Sequence, residues 1–404
     1  MLEPTYFPKT AAVIAEFNPL HAGHALLLQK CRETGADCIL IALSGNYVQR
    51  GEPAIFDRYL RTEAALQCGA DVVIELPLPY ALSTAERFAY GAISLFQQLG
   101  LGSGDYLVFG SESGNLKSLQ NAAFASEQAE QSVLFRNLLE KGMSFVSARQ
   151  KAVETLFPEF GEMLHTPNNA LGVEYLRQLS RLQCPIKAVS IQRQGAEHHS
   201  KRPKDGFASG SMLRQMLWEG RWSEASKFFP GETAGIFQKG ISQIALPERG
   251  ERAVLCRLRC LEQDVLSQLP DCSEGIENRL WKASRQACTF QELCDMIKSK
   301  RYSMARVRRL IYSAFLQVDG ELCREPVPYC HLLGFTKKGE NLLSRWKCQA
   351  KIPVSPSLKK LQELGGSCEK FAWTEARADD LYSLFQPVPR PCGAAYTAPV
   401  IRAP

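Results

Sequence analysis

The 404-residue sequence has no run of about 18 apolar residues, which excludes a membrane-spanning helix as its organising element. It has no Cys-x-x-Cys pair either. Its 14 cysteines are scattered, and although Cys256 and Cys260 stand one helical turn apart, no second Cys/His pair at ligand spacing follows, so packing is their expected role. With no signal-peptide pattern ahead of them, reduced thiols and a cytoplasmic setting are expected rather than a disulfide framework. Charge of one sign is also lacking: 48 Lys plus Arg against 42 Asp plus Glu leave +6, too small a surplus to mark a nucleic-acid binder, so the placement of the cations matters more than their number. There is no internal repeat and no carboxylate pair dedicated to a metal, so no metal-ligating residues are assigned. What remains is an ordinary globular composition, 45% hydrophobic and 22% charged, long enough for two or three domains.

The stretch that carries chemistry is Ile14-Ala15-Glu16-Phe17-Asn18-Pro19-Leu20-His21-Ala22-Gly23-His24-Ala25-Leu26-Leu27. It reads as the end of a buried strand (Ala11 to Glu16), a turn at Asn18-Pro19, and a helix beginning near His21. Two histidines three residues apart then share one face of the first helical turn, where free backbone N–H groups and the positive dipole end favour an anion. Gly23 between them removes a side chain where a flat ligand would approach the backbone.

Apolar runs of strand length recur with helical segments between them. Cys38 to Leu43, Val72 to Pro77, Tyr106 to Phe109 and Pro185 to Ile191 are expected strands, and Arg58 to Cys68 and a segment opened by the capping-box pattern Ser83-Thr84-Ala85-Glu86 are expected helices. The alternation argues an α/β fold with a doubly wound parallel sheet. In such sheets ligands bind beyond the carboxyl ends of the strands. That makes Gln49 and Arg50 candidates in the loop after the second strand, places the small loop Gly110-Ser111-Glu112 within reach of a nucleotide, and delivers Arg193 to the edge that holds His21. Asn168 and Asn169 stand at a helix entrance, where they either cap the helix or read a base edge; local chemistry favours the cap. Ser209-Gly210-Ser211-Met212-Leu213-Arg214 offers hydroxyls and N–H groups at another helix entrance, with an arginine one turn in.

From Pro230 the pattern reads as helices without intervening strands. Three regions are therefore expected: 1–229 as the catalytic domain, 230–386 as a mostly α-helical, basic region, and 387–404 as a Pro-rich disordered tail. Within the second, Val307, Leu310, Ile311, Ala314 and Phe315 form one buried stripe, while Lys298, Lys300, Arg301, Arg306 and Arg309 load the start of that helix with positive charge. Cations there are electrostatically unfavourable without an anion, which points to an RNA backbone. Lys337 and Lys338 add a basic turn.

His21-Ala22-Gly23-His24 resembles the H-x-G-H signature of the nucleotidyltransferase superfamily, and Ser209 to Arg214 its second signature, with Ser211 where threonine is usual. Together with Leu43 to Ala54, Val73 to Pro77, Phe109 to Glu112, Pro167-Asn168-Asn169 and Gly334 to Gly339, the chain from Ala11 to about Leu384 resembles the bacterial tRNA(Met) cytidine acetate ligase family. That resemblance implies a Rossmann-like nucleotidyltransferase sheet, formation of acetyl-adenylate from acetate and ATP, and acetylation of N4 of the wobble cytidine of elongator tRNA(Met). It also implies an ATP site on Ile14 through Leu27, Gly110, Asn168 with its neighbour Asn169, and Arg193. His21 and His24 are expected to donate to phosphate oxygens and Arg193 and Arg214 to hold pyrophosphate, with Mg²⁺ as an expected companion. Ala22 stands where asparagine is usual and Gln192 where a second cation is common. Neither membrane nor protein partner is expected. Two other readings compete: a small-molecule adenylyltransferase of cofactor biosynthesis, and an RNA-binding protein with a degenerate nucleotide site.

Overall fold

The computed structural model describes residues 7–194 and 207–404. The strands are β1 (Thr10–Ala15), β2 (Cys38–Ser44), β3 (Tyr47–Val48), β4 (Glu52–Pro53), β5 (Val72–Leu76), β6 (Tyr106–Ser111), β7 (Lys187–Gln192), β8 (Cys330–Thr336), β9 (Val354–Ser355) and β10 (Ile401–Ala403). The main sheet runs β10-β8-β5-β2-β1-β6-β7, with β9 beside β8, while β3 and β4 form a separate hairpin. Its five earliest strands are mutually parallel, and each expected strand lies where the apolar run placed it, to within two residues at either end.

Alternation along the strands explains why both faces are covered. Leu40, Ala42, Val72, Ile74 and Leu107 belong to a core shared with Phe88 and Ala92 of the helix Ala85–Gln98 and Val173 and Leu176 of the helix Pro167–Arg181. Their neighbours Ile39, Ile41, Leu43, Val73 and Val108 face the other way, onto the helices Ala22–Glu33, Arg58–Gln67 and Gly210–Trp218. The sheet order reverses at β1, whose neighbours are β2 on one side and β6 on the other. That is the switch point where a crevice opens beyond the strand ends.

Two expectations for the second half are corrected. The stretch expected to be all helix supplies β8, which enters the main sheet antiparallel to β5. Residues 330–336 are a short apolar run, and such a run does not reveal its partner; only the open edge of β5 makes it a strand. The tail expected to be disordered is also built in. Ile401–Ala403 pairs in parallel with β8, the Gly393 N–H donates to Asp380 Oδ1 at 2.8 Å, and Arg390 lies 3.5 Å from Asp379. The sheet is therefore complete only at residue 403, and a boundary at 229/230 does not enclose it. The helix after Ser83 is capped by Thr84, one residue later than the capping-box pattern suggested.

The helices between Pro247 and Leu316 have their own apolar core, which also takes in Tyr47 of β3 and Tyr382 and Phe385 near the end of the helix Gly366–Tyr382. The hairpin β3-β4 thus joins this bundle to the sheet. Gly51 at its turn has φ +73° and lies so close to the helix Met304–Leu316 that a Cβ would stand 2.6 Å from the Arg309 nitrogen. Beneath the hairpin, a buried network ties the last long helix to the ends of β2 and β5: Arg58 pairs with Glu75 at 2.9 Å, His331 Nδ1 meets Glu75 at 2.7 Å, and Asn46 donates to Asp379 at 2.7 Å. All 14 cysteines are free, and no helix among the described residues is long and apolar enough to cross a membrane.

Candidate active site

A cavity of about 300 Å³ opens beyond the carboxyl ends of β1 and β6. Its wall contains Ile14, Ala15, Glu16, Phe17, Asn18, His21, Gly23, His24, Leu26 and Leu27 from the first strand, turn and helix; Gly110; Asn168; Arg193; and Ser209, Ser211 and Arg214. Of the residues singled out from the sequence as an ATP site, Pro19, Leu20, Ala22, Ala25 and Asn169 are not in that wall. Pro19 and Leu20 are buried beneath it, and Asn169 is buried behind Asn168.

His21 is the N-cap of the helix Ala22–Glu33. Its Nδ1 accepts the Gly23 N–H at 3.1 Å, and the Nδ1 of His24 accepts the His21 N–H at 3.2 Å, so two imidazoles make the reciprocal cap usually made by a hydroxyl and a carboxylate. The rings lie 3.9 Å apart at 31°, and the edge of Phe17 closes against His24. Because each Nδ1 is an acceptor, the neutral rings carry their proton on Nε2. Burial, the neighbouring His21 and the charge of Arg193 hold the His24 pKa well below its usual value, so it enters the reaction neutral. The space a Cβ would take at Gly23 is filled by His21 itself, 3.0 Å away at Cε1. The glycine therefore serves the imidazole rather than a flat ligand.

The arginines divide into two kinds. Arg193 and Arg50 line the cavity and, among the described residues, make no side-chain hydrogen bond or ion pair; burial and, less strongly, the like charge of Arg50 lower the Arg193 pKa against the opposing charge of Glu112. Arg214, expected to hold pyrophosphate, is already engaged. It donates to the Asn18 carbonyl at 2.8 Å and pairs with Glu52 at 2.9 Å, which ties the second signature to the first. Asn18 is likewise scaffold, its Oδ1 accepting the Ile55 N–H at 2.8 Å. Ser209 caps the helix Gly210–Trp218, with its hydroxyl 3.1 Å from that of Ser211.

The helix entrance at Pro167 is capped by neither asparagine. The Glu112 carboxylate accepts the backbone N–H groups of Asn168 (3.2 Å) and Asn169 (2.7 Å) and the Asn168 side-chain amide at 2.6 Å. Burial opposes the charge, but these hydrogen bonds hold Glu112 below the ordinary carboxylate range. Asn168 is thus fixed with its side chain in the cavity wall. Gly110 leaves room for Arg193, whose Cγ would be 3.3 Å from a Cβ there.

One residue escaped the sequence reading and another was only half read. Arg61, fully buried, donates to the main-chain carbonyls of Glu16 (2.7 Å), Ser44 (3.0 Å) and Gly45, and so locks the ends of β1 and β2 together. Arg50, read from its place in the loop after β2 only as a candidate, is the second cavity cation without an ion pair among the described residues. An arginine at a buried position of an amphipathic helix was the one available signal for the first; the second was marked only by its place in the polar loop beyond a strand end, which did not say that its charge stays unpaired.

The basic residues expected to meet RNA also separate. Arg306 pairs with Asp271 and Glu274, each at 3.3 Å, and Arg309 pairs with Asp271 at 3.3 Å and reaches the Gln49 carbonyl at 3.4 Å. The anion that the crowded helix start required is supplied by the protein itself. Lys337 and Lys338 follow β8, which runs against β5, so they stand beside Asp71 and Cys38 at the amino edge of the sheet, away from the cavity. Lys298 and Lys300 are exposed, and Arg301 donates to the Gly142 carbonyl at 3.2 Å, next to exposed Lys141. Among the described residues, no group of three or more His, Cys, Asp or Glu converges as a metal site. The described side chains therefore do not fit a Mg²⁺ cage.

A family model described as HIGH Nucleotidyl Transferase matches residues 9–393. A tRNA(Met) cytidine acetate ligase of Thermoanaerobacter sp. (strain X514) is 34% identical over 400 residues, covering 96% of this chain and 98% of its own; one from Syntrophomonas wolfei is 34% identical, covering 93% and 95%. The apo crystal structure of Thermotoga maritima TmcAL superposes with a TM-score of 0.90 at 30% identity, covering 98% of this chain and 99% of that one. The same protein bound with alpha-thio ATP superposes with a TM-score of 0.88 at 29% identity.

Proposed function

The chain belongs to the HIGH nucleotidyl transferase family, and from that premise we propose that it is a tRNA(Met) cytidine acetate ligase. It joins acetate to ATP as acetyl-adenylate, releases pyrophosphate, and transfers the acetyl group to N4 of the wobble cytidine of elongator tRNA(Met). One observation carries the reading: two imidazoles 3.9 Å apart and two arginines without an ion pair among the described residues share one cavity at the switch point of the sheet. Whole-length similarity to proteins bearing that ligase name, one solved with an ATP analogue, favours it over a small-molecule adenylyltransferase or a degenerate RNA-binding module.

In the first step a carboxylate oxygen of acetate attacks the α-phosphorus. The new P–O bond forms as the bond to pyrophosphate breaks, and negative charge grows on the non-bridging oxygens and the leaving group. His21 and His24 donate Nε2–H to the phosphoryl oxygens at the helix N-terminus, and Arg193 and Arg50 hold the departing pyrophosphate. Asn168, positioned by Glu112, and the loop at Gly110 receive the rest of the nucleotide. Catalysis is positioning and electrostatic stabilisation, which is why Arg61 and Glu112 brace the wall from behind and Arg214 stands in it with its charge already paired to Glu52. Any Mg²⁺ would arrive on the triphosphate and keep its waters, as that ion commonly does. The tRNA approaches over the helical bundle, with Lys141, Lys298, Lys300 and Arg301 as its phosphate contacts in a cytoplasmic enzyme.

The test is ATP–pyrophosphate exchange. Exchange should require acetate, and His24→Ala should lower it on the order of 10²-fold or more while tRNA retention stays near wild type. Exchange that depends instead on a phosphorylated cofactor, or no exchange at all, would overturn the assignment.

A further inference from the structure

Cytosine presents an exocyclic N4–H₂ donor beside two acceptors, N3 and O2, so a subsite that reads it needs an acceptor and a donor side by side. The cavity wall contains such a pair outside the phosphate machinery. Glu16 ends β1 with its main chain held by Arg61, and its Oε1 accepts the Gln49 N–H at 2.9 Å. Among the described residues its second carboxylate oxygen has no hydrogen-bond partner. The Gln49 side chain lines the same cavity, and its Nε2 is buried without a partner. A buried donor left unmatched is costly unless a ligand completes it.

Resting on the ligase reading above, we propose that Glu16 and Gln49 form the cytosine subsite, Gln49 donating to the ring acceptors and Glu16 taking the proton from N4. The N4 lone pair adds to the acetyl carbonyl carbon and a C–N bond forms while the N–H proton passes to Glu16. The adduct then collapses, the C–O bond to AMP breaks, and its electron pair leaves with the phosphate; Glu16 afterwards returns the proton to water. Uracil would turn an acceptor oxygen towards the carboxylate and be rejected. Among the described residues, the charged or titratable groups that act on Glu16 are Arg50 and Glu52 from the hairpin, Arg214 from the helix Gly210–Trp218, Arg61 from the helix Arg58–Gln67, and Tyr175 from the helix Pro167–Arg181. Burial raises its pKa above the ordinary carboxylate value, with Arg50 opposing and Glu52 adding, which makes it a stronger base than an exposed glutamate.

Acetate-dependent exchange and acetyl transfer to an anticodon stem-loop RNA, measured on the full chain, separate the two steps. Glu16→Gln should reduce the ratio of transfer to exchange about 100-fold or more, and Gln49→Met should raise KM for the RNA more than it lowers kcat. In the wild type, the transfer rate should climb with pH through a pKa above the ordinary carboxylate range, as a base that must be ionised requires, and exchange should not share that limb. A parallel loss of both steps in Glu16→Gln, an unchanged ratio, or a wild-type transfer profile that matches exchange would overturn the proposal. Exchange that ignores acetate would instead sink the ligase reading itself.

Discussion

Arg193 and Arg214 were given the same task by their sequence motifs, and the structure predicts opposite consequences for removing them. Arg214 is nearly buried, with its side chain 10% exposed and that of its partner Glu52 14% exposed. Replacing it with alanine strands that carboxylate and takes a donor from the Asn18 carbonyl. Breaking a buried ion pair by removing one partner costs about 3–5 kcal/mol. The residual exposure places the expected loss at the low end, about 3 kcal/mol. The Arg193 side chain has, among the described residues, no hydrogen bond or ion pair to lose, so Arg193→Ala should stay within about 0.5 kcal/mol of wild type in stability. It should nevertheless lose on the order of 10²-fold in acetate-dependent exchange, equivalent to about 2.7 kcal/mol of transition-state stabilisation. Urea unfolding followed by circular dichroism, alongside exchange at a denaturant-free reference, reads both quantities. A double-mutant cycle of Arg214→Ala with Glu52→Ala should return a coupling of about 1–3 kcal/mol. Arg193→Ala unfolding as early as Arg214→Ala, or Arg214→Ala keeping wild-type stability while losing exchange outright, would refute this division of roles.

Replacing both Arg306 and Arg309 with alanine should destabilise the helical bundle on the order of 2 kcal/mol, because Asp271 loses both its cations, and should leave the salt slope of tRNA binding as it was. Lys298→Ala with Lys300→Ala should instead flatten that slope by about one to two units between 50 and 200 mM salt; filter binding of both double variants decides, and a reversed pattern refutes the assignment. Ending the chain after residue 386 should lower the unfolding midpoint measurably, by a loss on the order of 2 kcal/mol, since it strips β10 from β8 and releases the contacts to Asp379 and Asp380. An unchanged midpoint would mean that the tail contributes nothing.

Local sequence was enough wherever structure depends on near neighbours. The apolar runs of β1, β2, β5, β6 and β7 and the capping residues between them specified a doubly wound sheet, because burial on both faces demands such runs. The same kind of reasoning put the two histidines, three residues apart, on the first turn of a helix, where the structure finds them lining the cavity. Contacts between distant residues decided the rest. Whether Arg214 or Arg193 is free depends on Glu52, some 160 residues earlier in the chain than Arg214. Whether the arginines at 306 and 309 meet RNA depends on Asp271 and Glu274, and whether residues 330–336 and 401–403 are strands depends on the open edge of β5. A residue's chemical type is written in the chain; whether its charge and hydrogen bonds are already spoken for is settled only when folding brings its partners within about 3 Å.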